Sequence, residues 1–507
     1  MVDYVFERHL SGGIHIPANK DTSTAQPIRR GFIPAKLVLP LRQHRGSPAE
    51  AIVHLGDRVL RGELIARAGP PPSAAVHAST SGWVRAIEDR LVLAGDGVQP
   101  SQCIVIETDG RDEREPPPAP WPAERAAQLE RIRSAGLVGL GGAVFPTAEK
   151  LATPVPCKTL IVNGAECEPY ISCDDMLMRE RAADVVAGAL LLTDLLAAPL
   201  CIIAIERDKQ RAEEAIEEAA KAVNDPRLKL AEVPTIYPAG GERQLVELLT
   251  GDEVPGGHYP SEIGYVCQNV GTAFALLKLV RDGEPLLSRI VTVTGAGIRE
   301  PQNVEALLGT PIAELVELCG GYNEGVLRLI AGGSMMGCAL PDDEVPIGKA
   351  SNCIIAATEA EVRIDPTEWP CIRCGDCAVV CPPRLLPQEL LVAAHTADFQ
   401  ALNLFGLQDC IECGCCDVAC PSHISLTERF RQAKRSLAMH DRQLKLADES
   451  EQRFERRERR IEEQRGRSAS LIDRLKGEAT DPDAREAAIR AAVERATQRR
   501  DRSADPE

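Results

Sequence analysis

The chain carries no excess of basic residues. Of its 507 residues 58 are Lys or Arg and 75 are Asp or Glu, a net charge of -17. Phosphate backbones need a basic face, so the balance argues against nucleic acid as the main partner. Long apolar runs are missing too. The nearest approach, Val185 to Ile205 ("VVAGALLLTDLLAAPLCIIAI"), is interrupted by Asp194 and Pro199. It falls short of the roughly 18 uninterrupted apolar residues of a spanning helix and reads as a buried helix followed by a strand. The opening "MVDYVFERHLSGGIHIP" has acidic residues and no apolar core of the export kind, which predicts no secretory signal and a reducing compartment. Eighteen cysteines in that setting point to metal or redox use and away from a disulfide framework.

At about 100–200 residues per domain, the length predicts several domains. Charge and five prolines replace periodic pattern in Gly110 to Arg125 ("GRDEREPPPAPWPAER"), which predicts an extended linker, placed at 116–125. Before it, residues 1–115 hold short apolar runs separated by turn residues, "AIVHLGDRVLRGELIAR" and "VHASTSGWVRAIE", the pattern of a small β-sandwich or barrel. The phrase resembles the barrel-sandwich fold of lipoyl and biotinyl domains, which modify a lysine at a hairpin tip. Here the tip, "AGPPPSAAV", has no lysine, so the expected role is structural or docking. Residues 126–285 alternate strand and helix patterns, predicting an α/β domain on a mostly parallel sheet. Residues 286–360 place two short strands ahead of a helix, as in a β-grasp domain of the SLBB kind. Residues 365–440 carry a cysteine repeat. Residues 441–507, dense in Arg and Glu, read as a solvated helix or a disordered tail, lack of fixed structure being the simpler reading.

The repeat is "CIRCGDCAVVCPPRLL" (371–386) and "CIECGCCDVACPSHIS" (410–425). Thiolates are soft ligands that select zinc, copper(I) or iron–sulfur. Zinc ribbons set one C-x2-C pair about 15–20 residues from the next. Here three cysteines fall within seven residues and a fourth follows ahead of a proline, which is the bacterial ferredoxin run, whose fourth cysteine ligates the other cluster. The rule assigns Cys371, Cys374, Cys377 and Cys420 to one [4Fe–4S] cluster and Cys410, Cys413, Cys416 and Cys381 to a second, with zinc as the alternative. The prolines turn the chain away, because they cannot continue a helix. Cys415 is an extra thiol, read as a packed or exposed bystander, with ligand swapping the alternative. The other nine cysteines are scattered singly and read mostly as core.

A two-cluster module moves single electrons and has no substrate chemistry of its own, so a source must lie elsewhere. "GLVGLGGAVFPTAEK" (136–150) is glycine-rich, able to bring backbone N–H groups to a phosphate with Lys150 nearby. It lacks the third glycine of the dinucleotide fingerprint. With "NGAECEPY" (163–170), "YPAGGERQL" (237–245) and "QNVGT" (268–272) it resembles the flavin- and NADH-binding subunit of respiratory complex I. The resemblance implies FMN contacts at Gly139, Gly141, Gly142, Lys150, Asn163, Glu166, Asn269 and Thr272, and groups near the nicotinamide at Glu168 and Glu242. Two positions depart from that family: Leu140 replaces an arginine, and Thr153 stands where an aromatic stacks on the dinucleotide.

The full order of barrel-sandwich, flavin domain, β-grasp and two ferredoxin runs resembles the C subunit of the Rnf electron-transport complex over about residues 1–440. "HLSGGIHIP", "GLGGAVFPT", "NGAECEPYISCDD" and "AGGSMMG" are the matching phrases. The resemblance implies a multidomain α/β protein with an α-helical two-cluster ferredoxin domain. It implies a peripheral subunit on the cytoplasmic face of a bacterial inner membrane. Electrons would pass from NADH through FMN and the clusters to integral-membrane and iron–sulfur subunits or ferredoxin-like carriers, coupled to ion transport. Two other readings stand beside it: a cobalamin reductase of the propanediol-utilisation type, and a flavin-less electron-wiring scaffold.

Overall fold

Runs of branched apolar residues decide the central sheet. "TLIVNG" and "CIIAIE" are apolar on both faces, the mark of strands covered on two sides, and in the computed structural model they lie side by side and parallel. The structure describes residues 10–94, 97–116, 120–362, 367–478 and 482–502. Its α/β region runs α1 (Arg125–Ser134), α2 (Thr147–Leu151), β8 (Thr159–Gly164), α3 (Cys173–Leu196), β9 (Cys201–Glu206), α4 (Gln210–Val223), β10 (Leu228–Val233), α5 (Glu242–Thr250), β11 (Tyr265–Asn269) and α6 (Val270–Asp282). The strand order is β10-β9-β8-β11, all parallel. The chain steps outward from β8 through β9 to β10, then returns to the far side of β8. That reversal opens a crevice outside the carboxyl ends of β8 and β11, where open α/β sheets bind ligands.

Ahead of this region, β1 (Lys36–Pro40), β2 (Glu50–Ala51), β3 (Arg58–Val59), β4 (Leu64–Arg67), β5 (Val76–His77), β6 (Gly82–Ala94) and β7 (Gly97–Thr108) form two sheets, β1-β7-β6-β3 and β2-β4-β5. The charged residues just ahead of the expected linker are tied to the first region. Arg61 pulls them in: its N–H donates to Glu113 O at 2.8 Å, Glu115 N–H returns to Arg61 O at 3.0 Å, and its guanidinium pairs with Asp112 at 2.8 Å. A half-buried guanidinium needs acids, and these residues supply them. Residues 117–119 of the expected linker lie outside the described residues.

After α6, β12 (Ser288–Thr294), β13 (Gln302–Leu307), α7 (Ile312–Leu318), β14 (Val326–Ala331), β15 (Cys338–Leu340) and β16 (Cys353–Thr358) build the sheet β13-β12-β16-β14-β15, two strands and then a helix as the β-grasp pattern predicts. The cysteine region follows as short helices α8 (Asp376–Val379), α9 (Pro387–His395), α10 (Phe399–Leu404) and α11 (Cys415–Ala419). The chain forms two compact units, Met1–Arg431 and Gln432–Glu507. Helices α12 (Leu426–Glu478) and α13 (Pro482–Arg502) carry the charged tail. Its described residues are helical, against the simpler expectation of no fixed structure. From Asp441 onward nearly every described side chain is exposed, and pairs one turn apart, such as Glu455–Arg459 and Glu486–Arg490, support the helices. Among the described residues no helix is long and apolar enough to cross a membrane.

A lysine bolts three segments of the first unit together. Lys349 is 1% exposed and has no carboxylate partner among the described residues; its Nζ donates to Ala75 O at 2.8 Å and Gly136 O at 2.7 Å. Gly136, at φ +69, has no room for a side chain, since a Cβ would stand 2.4 Å from Ala75 O. Burial pushes the Lys349 ammonium down to about 7. Lys349→Met leaves two buried carbonyls without a donor, and should lower unfolding stability in urea by about 2–4 kcal/mol. An unchanged midpoint and slope would refute the bolt.

Candidate functional site

The ends of β8 and β11 bring two asparagines together, Asn163 opposite Asn269 in register. Asn269 caps α6, its Oδ1 accepting Gly271 N–H at 2.8 Å, while its Nδ2 donates to Asp174 Oδ2 at 2.6 Å. Asn163 Nδ2 donates to Gly240 O at 2.9 Å, and its Oδ1 accepts Ala165 N–H at 3.0 Å. The glycine-rich loop lies over this junction. Leu140 N–H donates to Thr272 Oγ1 at 2.9 Å, and a side chain on Gly141 would touch the Asn269 Cβ, at 3.4 Å. Gly141, Asn163, Asn269 and Thr272 thus gather at one end of the sheet, with Gly139 and Gly142 in the same loop. Thr272 is fully buried, so it props the loop and does not face the crevice. A cavity lined by Leu140, Asp174, Gly271, Lys278 and Arg289 adjoins the α6 N-terminus.

Lys150, on α2, pairs with Glu242, the first residue of α5, at 2.8 Å. Burial alone would lower the lysine's pKa; the Glu242 charge outweighs it and holds the ammonium above its usual range. Glu166 sits at φ +50, and its carboxylate accepts Asp174 N–H at 2.7 Å and Asp175 N–H at 3.2 Å, closing the amino end of α3. Its backbone oxygen accepts Lys20 Nζ. Nothing in the sequence marks Lys20 as a site residue, although "GGIHIPANK" overlaps one of the matching phrases. Asp174 stands in an acidic corner: burial first, then the Glu166 charge, lift its carboxyl to about 7. Ligating atoms of Glu166, Cys173 and Asp174 lie within 4.8 Å of one another. Thr153 lies in the loop after α2, partly exposed.

Glu168 is placed differently from a free carboxylate. Its Oε1 accepts the N–H groups of Met335 and Met336, both at 2.8 Å, and Gly333 packs so closely that a Cβ would stand 1.9 Å from Glu168 Cγ. Burial raises its pKa. The side chain clamps the 332–337 loop of the β-grasp onto the α/β region. Beside it Tyr237 OH donates to Cys413 O at 2.8 Å, and Ile14 forms a β-bridge with Tyr237. The crevice and the second cysteine run therefore share a wall.

The cysteines are arranged across the two runs. Cys371, Cys374, Cys377 and Cys420 line one cavity together. Burial pushes the Cys381 thiol up to about 12, and Cys410 and Cys413 of the second run and Cys377 of its own push it the same way. Cys415 is fully buried, its thiol 3.9 Å from Tyr237 O, the packed alternative. Of the other nine, seven are buried and Cys167 and Cys338 partly so.

Residues 132–278 match the family model described as the Nuo51 FMN-binding domain, residues 8–111 that of the RnfC barrel sandwich hybrid domain, and residues 290–339 that of the SLBB domain. The chain is 46% identical over 465 residues to the C subunit of the ion-translocating oxidoreductase complex of Pseudomonas aeruginosa, an alignment that covers 90% of this chain and 59% of that protein. It is 40% identical over 499 residues to the protein of the same name from Yersinia pestis, covering 97% of this chain and 79% of that one. It thus spans under two thirds of the Pseudomonas relative's length. A solved structure of an NAD+-reducing [NiFe]-hydrogenase in the H2-reduced state aligns with a TM-score of 0.45 at 22% identity, over 64% of this chain and 62% of that one.

The acidic corner makes a test of its own. The Asp174 carboxyl is raised in the folded chain to about 7, so the stability tied to its neutral form is complete below about pH 4 and lost as pH rises through 7. Asp174→Asn, neutral throughout, should melt higher than the unsubstituted chain at pH 8 and flatten the dependence of Tm between pH 5 and 8. Parallel curves would refute the raised carboxyl.

Proposed function

Because the chain belongs to the family of C subunits of ion-translocating oxidoreductase complexes, we propose that it is the peripheral subunit at which electrons enter or leave such a complex. It would exchange them between NADH, FMN and two [4Fe–4S] clusters on the cytoplasmic side of the membrane. The observation that carries this reading is the shared wall. Tyr237 follows the β10 strand out to the crevice and its hydroxyl holds the backbone of the second cysteine run. A flavin accepts a hydride's two electrons together and releases them singly, which is how clusters accept them.

The residues suit those groups. Gly139, Gly141 and Gly142 present backbone over the Asn163–Asn269 pair, and the α6 amino end with Arg289 nearby favours a phosphate. Lys150 and Glu242 form the charged rim where a dinucleotide would lie. Glu166, Glu168 and Thr272 act behind the crevice, fixing α3, the 332–337 loop and the glycine-rich loop. The thiol sets Cys371–Cys374–Cys377–Cys420 and Cys410–Cys413–Cys416–Cys381 would each hold a cluster. Partners would be integral-membrane and iron–sulfur subunits of the same complex and ferredoxin-like carriers.

Anaerobic purification of the full chain should yield about one FMN and about eight irons, and NADH should bleach the flavin. Clusters without any flavin would leave only an electron relay. Cys381→Ala should abolish the low-temperature EPR signal of the cluster held mainly by the second run. Loss of the Cys371-run signal instead would overturn the crossed assignment.

A further inference from the structure

The two cysteine runs are copies of one another with opposite surroundings. In sequence register Ile372 matches Ile411, Arg373 matches Glu412, Gly375 matches Gly414 and Val379 matches Val418. The backbones agree as well: Gly375 and Gly414 take φ +89 and +78, Arg373 and Glu412 take +56 and +58, and each run opens a short helix. Any difference in exposure therefore comes from what covers each copy.

The second copy is covered by its own chain. Cys413, Gly414 and Cys415 are buried, and Tyr237, Ile14 and Met335 pack against them. A side chain on Gly414 would meet Met335 Cε at 3.4 Å. The first copy is bare. Cys371 and Cys374 are exposed, a side chain on Gly375 would meet nothing within 4 Å, and Trp369, Ile372 and Val379 are 63%, 68% and 76% exposed. Trp369 belongs to this face, since its N–H donates to Ser422 O at 2.9 Å, beside Cys420. The charges differ in the same sense. Glu412 in the covered copy pairs with Arg431 at 3.1 Å, whereas Arg373 has no ion-pair partner among the described residues. Asp376, on the same rim, is exposed too.

We propose that the face formed by Trp369, Ile372, Arg373 and Val379 is the docking surface of a separate iron–sulfur protein, which covers the first run as Tyr237 and Met335 cover the second. That protein presents an apolar centre and a carboxylate opposite Arg373. The inference rests on the reading of both runs as cluster sites, and adds direction to it: the second run adjoins the crevice, and the first is the terminus facing outward. A small apolar patch inside a mixed polar rim suits a transient redox contact better than a permanent one.

Iron content and EPR of the unsubstituted full chain test the cluster reading by itself, before variants are compared. Docking is then read by stopped flow, as the second-order rate at which the dithionite-reduced chain passes electrons to an oxidised bacterial ferredoxin carrying [4Fe–4S] clusters. Val379→Glu should slow that rate by roughly tenfold, the effect of about 1.4 kcal/mol at the contact. Arg373→Glu should slow it as well. Oxidation of the Val379→Glu chain by ferricyanide, which needs no docking surface, should keep its rate and the cluster EPR its shape. Val418→Glu, the matching change on the second copy, where the valine is itself 50% exposed but the neighbouring Cys413 and Cys415 are buried, should leave ferredoxin reduction unchanged. Equal rates for Val379→Glu and the unsubstituted chain, equal slowing by Val418→Glu, or an unsubstituted chain that reduces ferricyanide but not the ferredoxin would each overturn the proposal.

Discussion

The pairing of β11 with β8 is the constraint on which the rest of the first unit depends. Parallel strands joined through helices leave a gap where the order reverses, and here the reversal sets Asn163 against Asn269. Everything placed near the crevice refers to that pair. The glycine-rich loop rests on Asn269 and Thr272, α3 is drawn in through Asp174, and the 237–241 turn hangs from Asn163 through Gly240. A one-residue slip of β11 would turn Asn269 away from Asn163 and from Asp174.

Charge is handled by burial with compensation. Glu206 and Lys209, both nearly inaccessible, form a close pair at the end of β9, Lys150 and Glu242 pair at the rim, and Lys349 is satisfied by carbonyls alone. Arg289 follows the Lys349 pattern, donating to Lys349 O and to Leu140 O. Two cations from the β-grasp region and the loop before β16 thereby grip the glycine-rich loop from outside its own domain. Isolated buried cations cost several kcal/mol, so the geometry of carbonyls around them has to be kept, and that ties the crevice to the packing of its neighbours.

Much of this was legible in the residues. Period and composition identified the buried strands, the helix-then-strand reading of Val185 to Ile205, and the β-grasp order, because those signals are local. The cysteine spacing led to the expectation of crossed sets, and Cys371 and Cys420 line one cavity in the structure. What stayed hidden is long-range. Lys20, Arg289 and Lys349 lie in unremarkable stretches, and only folding brings them to Glu166, Leu140 and Gly136. Glu168 and Thr272 were expected to contact the cofactors, whereas the structure packs them as supports, because a sequence does not say which side of a loop a side chain takes. The tail was ambiguous for the opposite reason: a polar surface and good helix formers satisfy both a solvated helix and a chain without structure.

Duplication by itself would make two equal centres, and the surroundings are what make them unequal. Hydrogen bonding, burial and solvent access set the potential of a thiolate-ligated centre as much as its ligands do. The second run is enclosed by Tyr237, Ile14, Met335 and the extra thiol of Cys415; the first stands open to water. Two runs of one spacing thus differ by what encloses them. With Cys381 and Cys420 crossed as proposed, neither set could be completed until both runs had folded against each other. On the proposed reading the two runs are the ends of one wire, and the chain's own packing decides which end faces inward.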